Sequence, residues 1–170
     1  MTVRAARKVA AQAAAESKPA TGGGTLIVRA MLPRRAKVYR DIEVDAGASL
    51  YDLAEAIVAS FDFAFDHAFG FYSGKTEQTL MRAHPKYELF VDLGEGTDGA
   101  LSVERTKVAT AFPKVGHAMT FYFDYGDDWR FPVELRATGE KVCGIHYPRI
   151  VASHGKAPPQ YPDPDDDDYE

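Results

Sequence analysis

Two stretches near the start of the chain, TLIVRAML and AKVYRDIEV, read as strands, and the second shows the period of two that a half-buried strand requires. The pattern predicts strands over residues 25–32 and 36–44, joined through PRR. Val38, Ile42 and Val44 share one face of the second strand, and Arg40 falls on that same apolar face. The period then changes. In SLYDLAEAIVASF, residues Leu50, Leu53, Ala54, Ile57, Val58 and Phe61 recur at helical spacing. Ser49 stands as N-cap and Asp52 lies three residues on, where a carboxylate suits the exposed amides and the dipole of a first turn. FDFAFDHAFGFYSG returns to alternating aromatics and predicts a strand over 68–72, ended by Ser73 and Gly74. Beyond it, YELFVDL reads as a short strand, GEGTDGA as a loop, and TKVATAF as an irregular or briefly helical connection stopped by Pro113.

Residues 121–135, FYFDYGDDWRFPVEL, form a hairpin pattern around an acidic turn. A two-residue turn at Gly126 and Asp127 would mix polar and apolar groups on both faces. A three-residue loop over 126–128 instead sets Tyr125 opposite Trp129, Phe123 opposite Phe131, Phe121 opposite Val133 and Met119 opposite Leu135. Asp124 then meets Arg130, Thr120 meets Glu134, and Tyr122 lies over Pro132. Burial of the apolar face selects this odd loop length, because a one-residue slip turns every side chain over.

A length of 170 residues suits one domain with its own core, and no apolar run approaches the roughly 20 residues that span a bilayer. A single cysteine, Cys143, excludes an internal disulfide, and no Cys/His cluster has zinc spacing, so a reducing cytoplasm is the expected location. The net charge of -5 is unevenly spread: residues 1–24 carry +3 and residues 163–170 carry -6, which leaves -2 for the body. A nearly neutral body lacks the basic face that displaces counterions from phosphates, so nucleic acid is a less favoured partner than protein. Residues 1–24, basic and rich in alanine and glycine, read as a flexible extension; residues 25–162 as the domain; residues 163–170 as an acidic disordered tail, the proline-rich PPQYP run before it sharing that disorder.

Packing explains most of the hairpin's aromatic residues but not its carboxylates. Asp124, Asp127 and Asp128 either gather at a divalent cation or sit in a solvated turn; calcium-loop spacing is absent. Asp62, Asp66 and His67 follow the helix, where a histidine beside carboxylates suits general-base or ligand chemistry. Asp92, Glu95 and Asp98 share a loop that reads as solvated, while His117, His146 and His154 are scattered. No HExxH, phosphate-cradling loop, dinucleotide fingerprint or nucleophile elbow occurs. Arg40 on an apolar face needs a partner, and Asp124 or Asp66 is the expected one through an ion pair, unless the side chain reaches water at a twisted edge.

Through VYRDIEVDAGASLYDLAEAI, FDFAFDHAFGFY, YELFVDLGEG, FPKVGHAMTFYFDYGDDWRFPVEL and YPRIVASHGKAPPQYP, taken in order, residues 25–162 resemble the plasmid pRiA4b open-reading-frame-three-like family. Members of that family are small bacterial and archaeal proteins of plasmids, chromosomes and insertion elements, without an established activity. The resemblance implies a single α+β domain, a mixed or antiparallel sheet with one main helix in β-β-α-β-β-β order, β-grasp-like. It carries over Arg40, Asp66, His67, Asp124, Tyr125, Gly126, Asp127 and Trp129 as motif positions. Where many relatives have two basic residues, this chain has Arg40 followed by Asp41, which speaks against an anion-binding strand. The leading expectation is a non-enzymatic binding or accessory module, needing no cofactor or metal, that offers the hairpin tip, Asp66 and His67 to a partner. The alternative is a metal-dependent hydrolase or phosphoesterase using Asp66, His67, Asp124 and Asp127.

Overall fold

The computed structural model describes residues 23–163. The basic extension and the acidic tail lie outside the described residues, apart from Gly23, Gly24 and Asp163, and Gly24 already opens the first strand. The elements follow as β1 (Gly24–Leu32), β2 (Arg35–Asp45), α1 (Leu50–Ser60), β3 (Phe69–Tyr72), β4 (Lys86–Glu88), a 3-10 turn (Val91–Leu93), β5 (Leu101–Ser102), α2 (Val108–Ala111), β6 (Ala118–Phe123), β7 (Trp129–Glu140) and β8 (Arg149–His154). The architecture is α+β, with one mixed eight-stranded sheet in the order β5-β4-β3-β6-β7-β1-β2-β8 and two helices among the described residues. Every pairing is antiparallel except the short β4-β5 contact. No helix among the described residues is long and apolar enough to cross a membrane.

Helix α1 starts where its chemistry says it should. Ser49 Oγ accepts from the Asp52 amide at 3.1 Å, and the Asp52 carboxylate accepts from the Ser49 amide at 3.0 Å, closing a capping box. Its buried face, Leu50, Leu53, Ala54, Ile57 and Val58, covers one side of the sheet. There it meets Leu26, Val28, Ile42 and Val44 together with a phenylalanine layer from β3, β6 and β7. Phe71 and Phe121 lie 4.9 Å apart, and Phe61 and Phe131 lie 5.1 Å apart. Each fully buried ring contributes about 1.5–3 kcal/mol by leaving water, so this layer dominates the core.

On the opposite sheet face, Tyr72, Leu80 and Tyr122 form a second, small cluster under residues 73–85. Gly70 makes room for it: a Cβ there would meet the Tyr72 ring and hydroxyl at 2.7–2.8 Å. The remainder of that face is a polar ladder, with Arg29 on Asp41 at 2.7 Å and Glu43 accepting from both Thr25 and Arg149.

Several expectations are corrected. The sheet has three more strands than the expected order: β8 and the two-residue β5 carry no alternating pattern, and β4 is far shorter than YELFVDL suggested. That stretch stops at Glu88 because Phe90 turns left-handed, at φ 68, and starts the 3-10 turn. In the hairpin, Phe123 faces Trp129, Phe121 faces Phe131 and Met119 faces Val133, so the loop holds five residues, 124–128, rather than three. The inward face is the expected one, since a shift of two residues preserves side-chain parity. Asp124 causes the shift: it turns left-handed at φ 55, and its Oδ1 accepts from the amides of Gly126 and Asp127, closing the loop before Tyr125 can enter the ladder.

Candidate functional site

The hairpin loop, the segment after α1 and residues 157–162 come together at one end of the sheet. Asp124 is the hub. Its backbone amide donates to Ala68 at 3.0 Å, which ties the hairpin to the strand that follows His67. Its carboxylate is buried, and while Oδ1 caps the loop, Oδ2 has no hydrogen-bond partner. His67 Nε2 stands 3.5 Å from that oxygen, inside ion-pair range but too long for a good hydrogen bond. The other ring nitrogen, Nδ1, is held by Asp66 at 2.6 Å. One imidazole therefore bridges an exposed carboxylate and a buried one.

Tyr161 stands over this bridge, its ring 6.5 Å from His67. Desolvation first, and then the negative charges of Asp66, Asp124 and Asp127, push its hydroxyl pKa above the ordinary value. The three carboxylates thus act on one spot. Phe123 packs edge-on to His67 at 5.9 Å and closes the apolar side. Asp124 and Asp128 both take left-handed backbone at the two ends of the hairpin loop, the kind of local strain that surrounding structure must hold in place.

The expected site residues do not all meet here. Asp66, His67, Asp124 and Asp127 do. Tyr125 turns to the other sheet face, where its hydroxyl lies 2.9 Å from that of Tyr72 and its ring 4.8 Å from Tyr122. Tyr72 in turn donates to buried Glu88 at 3.0 Å, and Thr97 satisfies the same carboxylate through its amide and hydroxyl. Burial above all pushes the Tyr125 hydroxyl up to about 12 and that of Tyr72 higher still. Asp124 does not meet Arg130, which pairs with Asp128 at 2.8 Å and with Glu77; Asp128 also accepts from Tyr122 at 2.5 Å. Trp129 packs on Phe63 at 4.7 Å below residues 157–162, and its Nε1 is buried without an acceptor.

Arg40 stands apart, and its expected ion pair with Asp124 or Asp66 is absent. The guanidinium is buried over the Phe61 ring and donates to the carbonyls of Ser60 at 2.9 Å, Tyr39 at 2.9 Å, and His154 and Gly155 at 3.1 Å each. Ser60 ends α1, so its carbonyl lacks an intrahelical partner and carries the negative end of the helix dipole. Carbonyl oxygens replace the carboxylate, and Arg40 joins α1, β2 and β8 rather than serving the site.

Residues Gln160 and Tyr161 belong to the site although the proline-rich run reads as disorder. Gln160 accepts from the Ala64 amide at 2.7 Å and donates to the Ala64 carbonyl at 3.3 Å, which fixes the run beside the segment after α1. The repeated prolines, rigid and poor in hydrogen-bond donors, were the available signal. Cys143 is exposed and remote from these residues, and Asp92 pairs with Arg105 and Ser102.

The family model described as plasmid pRiA4b ORF-3-like protein matches residues 29–161. Among solved structures, the chain is similar to a protein of unknown function from Methanosarcina mazei Go1, with a TM-score of 0.64 and 21% sequence identity over 82% of this chain and 74% of that one. At that identity the likeness shows the fold alone. Comparison with curated proteins finds no match.

Proposed function

The chain belongs to the plasmid pRiA4b ORF-3-like family, and from that premise we propose that it is a non-enzymatic binding module whose hairpin tip takes a cationic side chain of a partner protein. One observation carries the reading: the buried Asp124 Oδ2 has no hydrogen bond, with His67 Nε2 3.5 Å away as its nearest cation, and the charges of Asp66, Asp124 and Asp127 converge on Tyr161 beside it. A buried carboxylate oxygen without a donor is costly, and a ligand that supplies N–H groups and positive charge removes that cost. Guanidinium fits best, because it is planar, offers five donors in a fork, and stacks on aromatic faces. Association with plasmids or insertion elements, a reducing cytoplasm and a β-grasp-like arrangement belong to the same proposal. Support for the last is the succession of hairpin, helix and strand over β1, β2, α1 and β3. Metal-dependent hydrolysis has less to start from: among the described residues, no three His, Cys, Asp or Glu side chains group closely enough to hold a metal ion.

Calorimetric titration with a short arginine peptide and its citrulline counterpart tests the reading, since citrulline keeps the shape and removes the charge. The arginine peptide is expected to bind at around 1 mM or tighter, about -4 kcal/mol, and to lose most of that affinity in Asp124→Asn. Equal binding of the citrulline peptide would refute it.

A further inference from the structure

Below residues 157–162 runs a groove that their own chain fills incompletely. Leu32, Pro33 and Trp129 form one wall and Pro158, Pro159 and Pro162 the other, and a space of about 160 Å³ remains between them. A second, open depression of about 910 Å³ continues from it along the outer side of the hairpin, past Trp129, Arg130 and Gln160. The covering run packs Ala157 against the core and Tyr161 against His67, and among the described residues only Gln160 ties it by side-chain hydrogen bonds to the segment after α1. Pro159, Tyr161 and Pro162 are exposed, Gln160 fastens the run to Ala64, and the Trp129 indole N–H beneath finds no acceptor. A tryptophan floor with an unfilled indole donor, flanked by Leu32 and Pro33, suits an extended proline-rich backbone, whose restricted conformation loses little entropy on docking and whose carbonyls are free to accept.

We infer that the Trp129 groove is a docking surface for an extended, proline-containing protein segment, and that residues 157–162 occupy it in cis until such a segment displaces them. The space left beside Trp129 favours an incoming segment with a side chain larger than those of the cis occupant. Displacement also lifts Tyr161 from His67, so the groove and the acidic site open together. The inference stands apart from the cation reading, because its readout is Trp129 and not the carboxylates.

Trp129 is the chain's only tryptophan, so its fluorescence and its quenching by acrylamide report the groove directly. The probe is a synthetic peptide of residues 157–163, titrated into the full chain and into Gln160→Ala, with a scrambled peptide as control. Removing the two bonds to Ala64 is expected to raise Trp129 quenching and to let the peptide bind about tenfold more tightly than to the unaltered chain, where the tethered run competes at high effective concentration. Unchanged quenching in Gln160→Ala, equal peptide affinity for the two proteins, or equal binding of the scrambled peptide would each overturn the inference.

Discussion

Buried guanidinium groups need partners that offset lost hydration, and Arg40 finds them in four carbonyl oxygens from α1, β2 and β8. Its presence on an apolar face was legible in the sequence; its partners were not, because backbone carbonyls leave no mark in residue spacing. Arg40→Met is expected to cost about 2–4 kcal/mol of unfolding free energy in urea titrations, since it strands carbonyls that packing cannot move to water. Arg40→Lys should recover only part of this, as a single ammonium cannot span the helix end and β8 together. Asp124 separates structure from binding. Asn at this position keeps an oxygen for the Gly126 and Asp127 amides and tolerates the left-handed backbone, so Asp124→Asn is expected to stay folded, while Asp124→Ala loses about 1–2 kcal/mol. Tyr125 gives a pH signature. Its hydroxyl pKa, raised from 10.0 to about 12 in the fold, keeps the folded state protonated where the unfolded chain has ionised. Its contribution to stability is therefore full below pH 10 and falls as pH rises toward 12, and Tyr125→Phe should flatten that part of a stability profile.

Elements defined by local periodicity were readable, and elements defined by distant pairing were not. Helix α1 declares itself through apolar spacing and its cap, and Ser49→Ala is expected to lower stability by about 1 kcal/mol through loss of the capping box, measured by thermal or urea unfolding. The hairpin shows the boundary clearly. Alternation assigns the inward face of β6 and β7, yet the partner of each residue depends on how Asp124 closes the loop, which a count of loop residues does not reveal. β8 pairs only with β2, at the edge of the sheet, and all six of its residues are exposed, so it carries no burial pattern to read. It is held by the β2 ladder, Arg149 on Glu43, His154 on the Lys37 carbonyl, and the Arg40 contact with the carbonyls of His154 and Gly155.

For the molecule as a whole, the sheet brings together at one end three segments that are far apart in sequence: Asp66 with His67, the hairpin loop, and residues 157–162. The acidic members of that site were identifiable by residue type, whereas Gln160 and Tyr161 enter through tertiary contacts with Ala64 and His67. Three carboxylates elsewhere on the sheet and helix are already engaged by neighbours: Asp41 by Arg29, Glu43 by Arg149, and Asp52 by the α1 cap. A ligand's positive charge should therefore go to the hairpin tip and not to these positions. Mapping amide chemical shifts during titration with the arginine peptide tests this most directly. The expected result is one contiguous set of perturbed amides at Asp66, His67, Asp124, Gly126, Asp127 and Tyr161, absent in Asp124→Asn. Perturbations centred on Asp41, Glu43 or the first turn of α1, or spread evenly over the surface, would contradict the account.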